Sequence, residues 1–268
     1  MNITFNNAEI FVATGGKPFN PNLPTVVFIH GSGLDHRSFA LQTRWFAFHG
    51  YSVLAPDLPG HSLSKGEPCA SIEESAAWLA DFLDAADVTS AHIVGHSQGF
   101  LTALEFAKEN PMRVSSLCAI GTAAAIPVNQ ALIDTAKDNS TKAADMMVNW
   151  GFGPSAHNGQ SAVPGMQPIA IGRAIMSRNP LAVDLQACAN YIDGDKAMTK
   201  LGNIPGCCIL ADKDKMTPVK SGLKLAQGMG VNPVIIKGYG HMLPIEAPRK
   251  TLTVIRDFIS SVQSQSAA

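Results

Sequence analysis

Ile93-Val94-Gly95-His96-Ser97-Gln98-Gly99-Phe100 is the stretch of sequence that decides the fold. A short apolar run ends at Val94, and a helical pattern extends from Gly99 to Asn110. Glycines on both sides of Ser97 permit a sharp strand-to-helix turn, which lifts the serine hydroxyl clear of the strand end. The amino end of the helix then favours developing negative charge beside that hydroxyl. The stretch therefore predicts a candidate nucleophile at the end of a buried strand.

Apolar, β-branched runs alternate with helical patterns on both sides of this turn. Continuous runs of this kind are typical of parallel strands that are covered on both faces. Alternating strands and helices predict an α/β fold built on a doubly wound, mostly parallel sheet. Ile3 to Phe5 and Glu9 to Ala13 predict an antiparallel hairpin at the edge of that sheet. The runs assigned to the central strands are Thr25 to Ile29, Ser52 to Leu54, Ala91 to Val94, Leu117 to Ile120, Cys207 to Leu210 and Val234 to Ile236.

The alternation stops near Ala123 and resumes near Cys207. The stretch between contains Trp150, Phe152 and several methionines, and it has no convincing strand pattern. We expect residues 1–122 and 201–268 to form the α/β core, with residues 123–200 inserted as a helical cap over the C-terminal edge of the sheet.

The composition limits the classes of partner. Hydrophobic residues make up 46% of the 268 residues, charged residues make up 15%, and the net charge is −1. This composition can build a substantial core but gives no basic field for nucleic acid or for an anionic membrane. We therefore expect a small, roughly neutral substrate, no nucleic-acid or membrane partner, and a monomer or a homodimer.

The five cysteines are scattered without CxxC spacing, which favours structural thiols in a reducing compartment. With no signal-peptide pattern at the N-terminus, we expect a cytoplasmic protein. We also expect no cofactor and no metal. Gly31 and Gly33 lack the third glycine of a dinucleotide loop, and no cluster has metal-ligand spacing.

Four further segments surround the Ser97 turn in a fixed order. They are His30-Gly31-Ser32-Gly33, Asp57-Leu58-Pro59-Gly60-His61-Ser62-Leu63-Ser64, Ala211-Asp212-Lys213-Asp214-Lys215-Met216-Thr217-Pro218, and Gly240-His241-Met242-Leu243-Pro244-Ile245-Glu246-Ala247-Pro248. Together with G-x-S-x-G at residues 95–99, they make the chain resemble the α/β-hydrolase family over nearly its whole length outside the insertion.

The resemblance implies a catalytic triad of Ser97 as nucleophile, His241 as base and Asp214 as the acid that orients the base. Serine needs a neighbouring base to accept its proton, and histidine suits that task at neutral pH. Asp212 is a rival for the acid. The four-residue offset from Asp214 to Pro218 matches the family pattern and favours Asp214.

The backbone N–H groups of Ser32 and Gln98 are the expected oxyanion hole, with Gly33 as the neighbouring alternative to Ser32. Phe100 stands where the family usually has a small residue, and it either presses on the pocket or packs in the core. His61 replaces the second glycine of the family's turn after the strand, and we expect it to be exposed. The expected pocket residues are Gly33, Phe100, Met146, Trp150 and Met242.

The predicted reaction is hydrolysis of a small to medium carboxylic ester, lactone or thioester through an acyl-enzyme on Ser97. One alternative is a C–C bond hydrolase of a vinylogous diketone, which uses the same triad. Such an enzyme needs cationic or indole groups to grip a carboxylate, and Arg173, Arg178 and Trp150 are candidates in the cap. A second alternative is a ligand-binding module on a hydrolase fold.

Overall fold

The computed structural model describes residues 1–266, and an eight-stranded sheet forms the centre of this part of the chain. Every apolar run assigned to a strand in the sequence forms one, and the predicted edge hairpin is also present. The strands are β1 (Asn2–Phe5), β2 (Ala8–Ala13), β3 (Thr25–Ile29), β4 (Ser52–Pro56), β5 (Ala91–His96), β6 (Val114–Ile120), β7 (Gly206–Ala211) and β8 (Val234–Ile236).

The strand order is β1-β2-β4-β3-β5-β6-β7-β8, and the pairs from β4 to β8 are parallel. Only the β1–β2 and β2–β4 pairs are antiparallel among the described strands. From β3 the chain moves outward to β4 and then returns to the other side of β3 as β5. This reversal opens a crevice at the carboxyl ends of β3 and β5, where α/β sheets bind their ligands. The predicted mostly parallel, doubly wound sheet is confirmed.

Helices follow most of the strands, and the ends of one long helix show how the sequence sets them. The Ser71 hydroxyl accepts the Glu74 N–H at 3.1 Å, and the Glu74 carboxylate accepts the Ala70 N–H at 2.7 Å, so free amides at the start of the helix Ile72–Ala85 are satisfied. The helices are α1 (Ala40–Ala47), α2 (Ile72–Ala85), α3 (Gln98–Glu109), α4 (Gln130–Asp138), α5 (Ser140–Gly151), α6 (Pro154–His157), α7 (Pro168–Met176), α8 (Leu181–Asn190), α9 (Gly194–Met198), α10 (Val219–Gly228), α11 (Leu243–Glu246) and α12 (Pro248–Ser266).

Two apolar cores cover the two faces of the sheet. Because side chains alternate along a strand, Val27 and Ile29 of β3 lie in the core that contains α2, α3 and α10. Val26 and Phe28 lie in the opposite core, with α1 and α12. This burial on both faces explains why β3 is apolar at every position after Thr25.

The region between β6 and β7 contains α4 to α9 and, within residues 1–266, no strand. Its side chains form a third apolar cluster that includes Met147, Phe152 and Met176, and this cluster also contacts Leu34 and Met242 of the core. The helices of residues 123–200 therefore pack against the loops that follow β3 and β8. None of the described helices is long and apolar enough to cross a membrane.

Candidate active site

Ser97 lies at the turn between β5 and α3, with φ 53° and ψ −122°. A positive φ is unfavourable for a residue with a side chain and costs on the order of 1–3 kcal/mol, so neighbouring contacts must hold the turn. The Ser97 N–H donates to the Ile120 carbonyl at 3.0 Å, and the Thr122 hydroxyl donates to the Ser97 carbonyl at 3.0 Å. The end of β6 and the residues after it thus fix the backbone of Ser97.

The glycines on each side of Ser97 are required by close backbone contacts. A Cβ atom on Gly95 would lie 2.4 Å from the Cα of Phe100, and one on Gly99 would lie 2.2 Å from the Ile29 carbonyl oxygen. Both separations are too short for carbon atoms in a packed interior. The G-x-S-x-G pattern is therefore explained by helix α3 lying directly against β5 and β3.

His241 and Asp214 form a buried pair at the same edge of the sheet. The His241 Nδ1–H donates to Oδ2 of Asp214 at 2.8 Å, and the two side chains are almost entirely shielded from solvent. The other carboxylate oxygen, Oδ1, accepts the N–H groups of Met216 at 2.8 Å and Thr217 at 2.7 Å. The loop after β7 thus orients the Asp214 carboxylate, which leaves Nε2 as the unprotonated nitrogen of a neutral His241 ring.

Asp212 contacts a different part of the molecule. Its Oδ1 accepts the Gly238 N–H at 2.6 Å, and its other oxygen lies 3.4 Å from the Lys213 ammonium. Of the two candidate acids, Asp214 is the one that contacts His241.

The loop that carries His241 is held by a buried carboxylate. Glu246 accepts the N–H of Gly240 at 3.3 Å and of Met242 at 3.2 Å, on either side of His241. It also accepts the N–H of Gly153, between α5 and α6, at 2.7 Å. Burial raises the pKa of Glu246, against the effect of these hydrogen bonds. Glu246 therefore joins the His241 loop to the region between β6 and β7.

His96 also binds the loop that carries His241. Its Nε2–H donates to the His241 carbonyl at 2.9 Å, and the two rings lie 4.9 Å apart. Its Nδ1 has no hydrogen-bond partner among the described residues. Burial lowers the pKa of His96 to about 3, so the ring is neutral near pH 7. His96 thus supports the loop of residue 241 through the backbone.

Ser97 and His241 both line one cavity, together with His96, Gly31 and Ser32. No hydrogen bond joins the Ser97 hydroxyl to His241 within residues 1–266. Such bonds are often long or poorly aligned before substrate binds. The structure therefore brings the serine, the histidine and the aspartate to one edge of the sheet, with the histidine–aspartate contact already formed.

The N–H groups of Ser32 and Gln98 make no hydrogen bond within residues 1–266. The Gly33 N–H, by contrast, donates to Oδ2 of Asp184 at 2.6 Å. The N–H of Gly33 is therefore already bound, whereas the N–H groups of Ser32 and Gln98, at the carboxyl ends of β3 and β5, remain free to donate among the described residues. Gln98 is the first residue of α3, so its amide also lies at the positive end of the helix.

The cavity has a volume of about 430 Å³ and a mostly apolar lining. Trp150 and Met242 line it, as expected from the sequence. Lys215 is the one charged side chain among the described lining residues. It is not among the pocket residues expected from the sequence, although its place next to Asp214, just after a strand, is a signal that could have identified it as a cavity residue. The further lining residues are Leu34, Ile126, Pro127, Val128, Asn129, Leu132, Met147, Leu185, Cys188, Met216 and Thr217.

Three expected pocket residues lie elsewhere. Phe100 is fully buried in the core between the sheet and α2, since it faces inward from the first turn of α3. Met146 packs against the apolar cluster of α4 to α8 and does not line the cavity. Gly33 does not line it either, because its backbone faces Leu181 and Asp184. His61, which we expected to be exposed, is only 1% exposed.

One group of side chains has the separation of a metal site. Ligand atoms of Asp35, His36 and Asp57 all lie within 4.8 Å of one another. Each is already engaged: Asp35 pairs with Arg37, and Oδ1 of Asp57 accepts both the N–H and the Nδ1–H of His36. These protein donors satisfy the carboxylates, so we propose no metal site at this group.

Comparison with known proteins gives the family. The model of the alpha/beta hydrolase fold family matches residues 24–155. The chain is 25% identical over 252 residues to 3-oxoadipate enol-lactonase 1 of Acinetobacter baylyi, covering 90% of this chain and 91% of that protein. It is also 25% identical over 257 residues to a 2-hydroxy-6-oxononadienedioate/2-hydroxy-6-oxononatrienedioate hydrolase of Cupriavidus pinatubonensis, covering 88% and 87%.

Other curated relatives are matched over a smaller part of their length, and the chain spans 26% of one and 35% of another. Among solved structures, the enol-lactonase from Burkholderia xenovorans LB400 superposes with a TM-score of 0.86 at 21% identity, covering 97% of this chain and all of that one. The sheet topology, the strained serine turn and the family match agree, and the chain belongs to the α/β-hydrolase fold family.

Proposed function

We propose that this protein is a serine hydrolase that cleaves a small to medium carboxylic ester, lactone or thioester through an acyl-enzyme on Ser97. The observation that carries the proposal is that Ser97 and the Asp214-paired His241 line the same cavity. A serine on a strained turn, a histidine and a carboxylate that orients the histidine are the parts that nucleophilic acyl transfer needs.

In the proposed mechanism, the Ser97 Oγ attacks the substrate carbonyl while Nε2 of His241 accepts its proton. Asp214 stabilises the imidazolium that forms. The N–H groups of Ser32 and Gln98 donate to the oxyanion, and each such donor is worth about 3 kcal/mol in comparable sites. The tetrahedral intermediate collapses as His241 protonates the leaving oxygen or sulfur, leaving Ser97 acylated. Water, deprotonated by His241, then attacks the acyl-enzyme carbonyl to form a second tetrahedral intermediate. This intermediate collapses as His241 returns the proton to Ser97 Oγ, which releases the acid and restores the Ser97 hydroxyl.

The cavity supports a compact, largely apolar acyl group. Its volume of about 430 Å³ falls in the lower half of the range for small-molecule sites. Leu34, Met147 and Met242 supply apolar surface near Ser97, and methionines adapt to different acyl shapes. The similarity to an enol-lactonase over 90% of the chain supports including lactones in the substrate class.

The test is covalent labelling with a fluorophosphonate, followed by mass spectrometry. We expect one adduct, on the peptide that contains Ser97, together with hydrolysis of p-nitrophenyl butyrate. Ser97→Ala should lose both, while Ser260→Ala, at an exposed position of α12, should keep both. Full esterase activity in Ser97→Ala, or an adduct at another residue, would contradict the proposal.

The C–C bond hydrolase remains a second candidate because Trp150 and Lys215 line the cavity and could grip a substrate carboxylate. The similarity to a 2-hydroxy-6-oxononadienedioate hydrolase also favours it. Arg173 does not contribute to this candidate, since it pairs with Asp145 at the surface. Turnover of a ring-fission dienol in excess of p-nitrophenyl butyrate would favour C–C cleavage, and ligand binding that persists without any turnover would favour a binding module.

We also propose a cytoplasmic location and a small molecule as the only partner needed for activity, acting on a monomer or a homodimer. All five cysteines are free thiols, which suits a reducing compartment. The even balance of charge gives no attraction for nucleic acid. Size-exclusion chromatography with light scattering would measure the oligomeric state.

A further inference from the structure

Asp184 of α8 contacts the loop that supplies the proposed oxyanion hole. A single carboxylate oxygen, Oδ2, accepts the Gly33 N–H at 2.6 Å and lies 2.9 Å from Nε2 of His61. Asp184 is 3% exposed and His61 is 1% exposed. Three separate segments therefore meet at one buried oxygen: the loop after β3, the turn after β4 and the helix between residues 181 and 190.

The hydrogen bonds of His61 indicate a charged ring. Its Nδ1 lies 3.0 Å from the Pro59 carbonyl, which can only accept, and Nε2 faces the Asp184 carboxylate. Both nitrogens are therefore placed to donate, as in an imidazolium. Burial acts to lower the pKa of His61, but the Asp184 carboxylate and its hydrogen bond outweigh burial and raise it. The neighbouring His30 ring is neutral, since burial lowers its pKa to about 4.

Asn179, just before α8, holds the same loop from its other side. Its Nδ2 donates to the carbonyls of Gly33 at 2.9 Å and Leu34 at 2.8 Å. Its Oδ1 accepts the Ser62 N–H at 2.9 Å. Both the N–H and the carbonyl of Gly33 are thus bound to one short segment, residues 179–184, which leaves little freedom to the adjacent Ser32 amide.

The backbone of Gly33 shows why the direction of its N–H matters. Gly33 has φ +66°, so the chain reverses at this point, and the Leu34 N–H folds back to the Gly31 carbonyl at 3.0 Å. The Gly33 amide is turned toward Asp184, and the amide of Ser32, which lines the cavity, has no hydrogen-bond partner in the part of the chain that the structure describes. Of these two neighbouring amides, the one of Gly33 is therefore bound by a carboxylate of α8.

We propose that Asp184, held by His61, is a positioning residue: it binds the Gly33 amide and so aims the Ser32 amide at the reacting carbonyl. The inference rests on the proposed hydrolase function and assigns to α8 a part in shaping the oxyanion hole. The ion pair does not touch substrate. It acts through the loop of residues 31–34.

Removing the carboxylate leaves two buried donors, the Gly33 N–H and the His61 Nε2–H, without a partner. The loop then relaxes, and the Ser32 amide loses its alignment with the oxyanion. Complete loss of one oxyanion donor lowers kcat by about 10²- to 10³-fold. Misalignment should cost less, so we expect Asp184→Ala to lower kcat about 10- to 100-fold with little change in KM.

The experiment compares three variants of the full chain. Asp184→Asn keeps the shape and one acceptor oxygen but loses the charge, and it should lower kcat about three- to tenfold, a partial rescue relative to Asp184→Ala. Tyr191→Phe is the matched control, because it removes a buried hydrogen bond at the far end of the same helix, from Tyr191 to Glu105 at 2.8 Å, without touching the loop of residues 31–34. All are assayed with p-nitrophenyl butyrate.

Affinity for butylboronic acid separates alignment from a general loss of stability, since its serine adduct is a tetrahedral anion that uses the oxyanion hole. We expect the boronate Kd to weaken in parallel with kcat in both Asp184 variants and to stay near the wild-type value in Tyr191→Phe. The inference is overturned if Asp184→Asn, or a folded Asp184→Ala, matches Tyr191→Phe in both kcat and boronate Kd. If the wild type neither hydrolyses the ester nor binds the boronate, the proposed function fails, and this inference fails with it.

Discussion

The Nδ1 atom of His241 lies 2.8 Å from Oδ2 of Asp214, although the two residues follow different strands and are separated by 26 others. The contact forms because β7 and β8 are parallel neighbours whose carboxyl ends reach the same edge of the sheet. The second oxygen of Asp214 is bound by the amides of Met216 and Thr217, so the carboxylate has a fixed orientation. The histidine is therefore held in one tautomer, with Nε2 able to accept a proton.

Asp214→Asn tests this relationship directly. The carboxamide has almost the same shape, but it can present N–H to Nδ1 and so favour the wrong tautomer of His241. We expect kcat for p-nitrophenyl butyrate to fall by about 10⁴-fold, while KM changes little. Steady-state kinetics measures both constants, and circular dichroism should show an unchanged fold.

Asp212→Asn is the control for that variant, since Asp212 has the same chemistry two residues away but contacts Gly238 instead of His241. Its kcat should stay within about threefold of the wild type, as expected for a partly exposed surface carboxylate. Equal losses in the two variants would rule out a specific role for the 2.8 Å contact.

Gly99→Ala should prevent the serine turn from forming. The new methyl group would lie 2.2 Å from the Ile29 carbonyl oxygen, a backbone atom in the centre of the sheet that cannot move aside cheaply. We expect a loss of about 3 kcal/mol or more in the free energy of unfolding, or no soluble protein at all. Urea denaturation monitored by fluorescence measures it.

Gly228→Ala is the matched helical glycine, because its nearest neighbours are the terminal atoms of the flexible Met198 side chain. Its stability should change by less than about 1 kcal/mol. If Gly99→Ala were as stable as Gly228→Ala, the close approach of α3 to β3 would not constrain residue 99.

The strand pattern could be predicted because each central strand is a continuous apolar run, and burial on both faces requires such a run. The proposed nucleophile position 97 could be located because this turn brings the backbone so close to residues 95 and 99 that only glycine fits there, and the same requirement holds in any protein with this turn. The edge hairpin and the parallel sheet were likewise predictable from periodicity and alternation.

The pocket could not be predicted in the same way, because it depends on which helix faces which loop. Phe100 belongs to the core because α3 packs its first turn against the sheet, and nothing in the local sequence gives that rotation. His61 is buried beside the carboxylate of Asp184, a residue 123 positions later in the chain. Contacts between residues so far apart along the chain leave no periodic pattern in the sequence.

Lys215 predicts a preference within the substrate class. It is the one charged residue lining the described cavity, and it is exposed at the rim, so its attraction for a substrate carboxylate is worth about 0.2–1 kcal/mol. The measured quantity is a ratio of two kcat/KM values: that for a p-nitrophenyl hemiester of a dicarboxylic acid, divided by that for p-nitrophenyl butyrate. We expect this ratio to fall by up to about fivefold in Lys215→Gln.

Lys213→Gln provides the comparison, because Lys213 lies near Asp212 and is not part of the cavity lining. The same ratio should be unchanged in this variant. A ratio that is equal in Lys215→Gln and the wild type would show that Lys215 does not contact the acyl chain.

His92 predicts how stability depends on pH. It lies in β5, 5% exposed, with Nδ1 2.8 Å from the Ser116 hydroxyl, and burial lowers its pKa from 6.5 to about 4. As the pH falls, the unfolded chain therefore binds a proton at His92 before the folded chain does. The stability that is present above pH 6.5 is lost as the pH falls toward 4, and the loss for this residue is about 3 kcal/mol.

In His92→Gln the free energy of unfolding should fall less steeply over that window, and its slope should be smaller than that of the wild type by up to about 1.4 kcal/mol per pH unit. Part of the slope should persist, because burial also lowers the pKa of His30 to about 4 and of His96 to about 3. His157→Gln, at an exposed position of α6, should keep the wild-type slope, and urea titrations at several pH values that gave the same slope for both variants would refute the assignment.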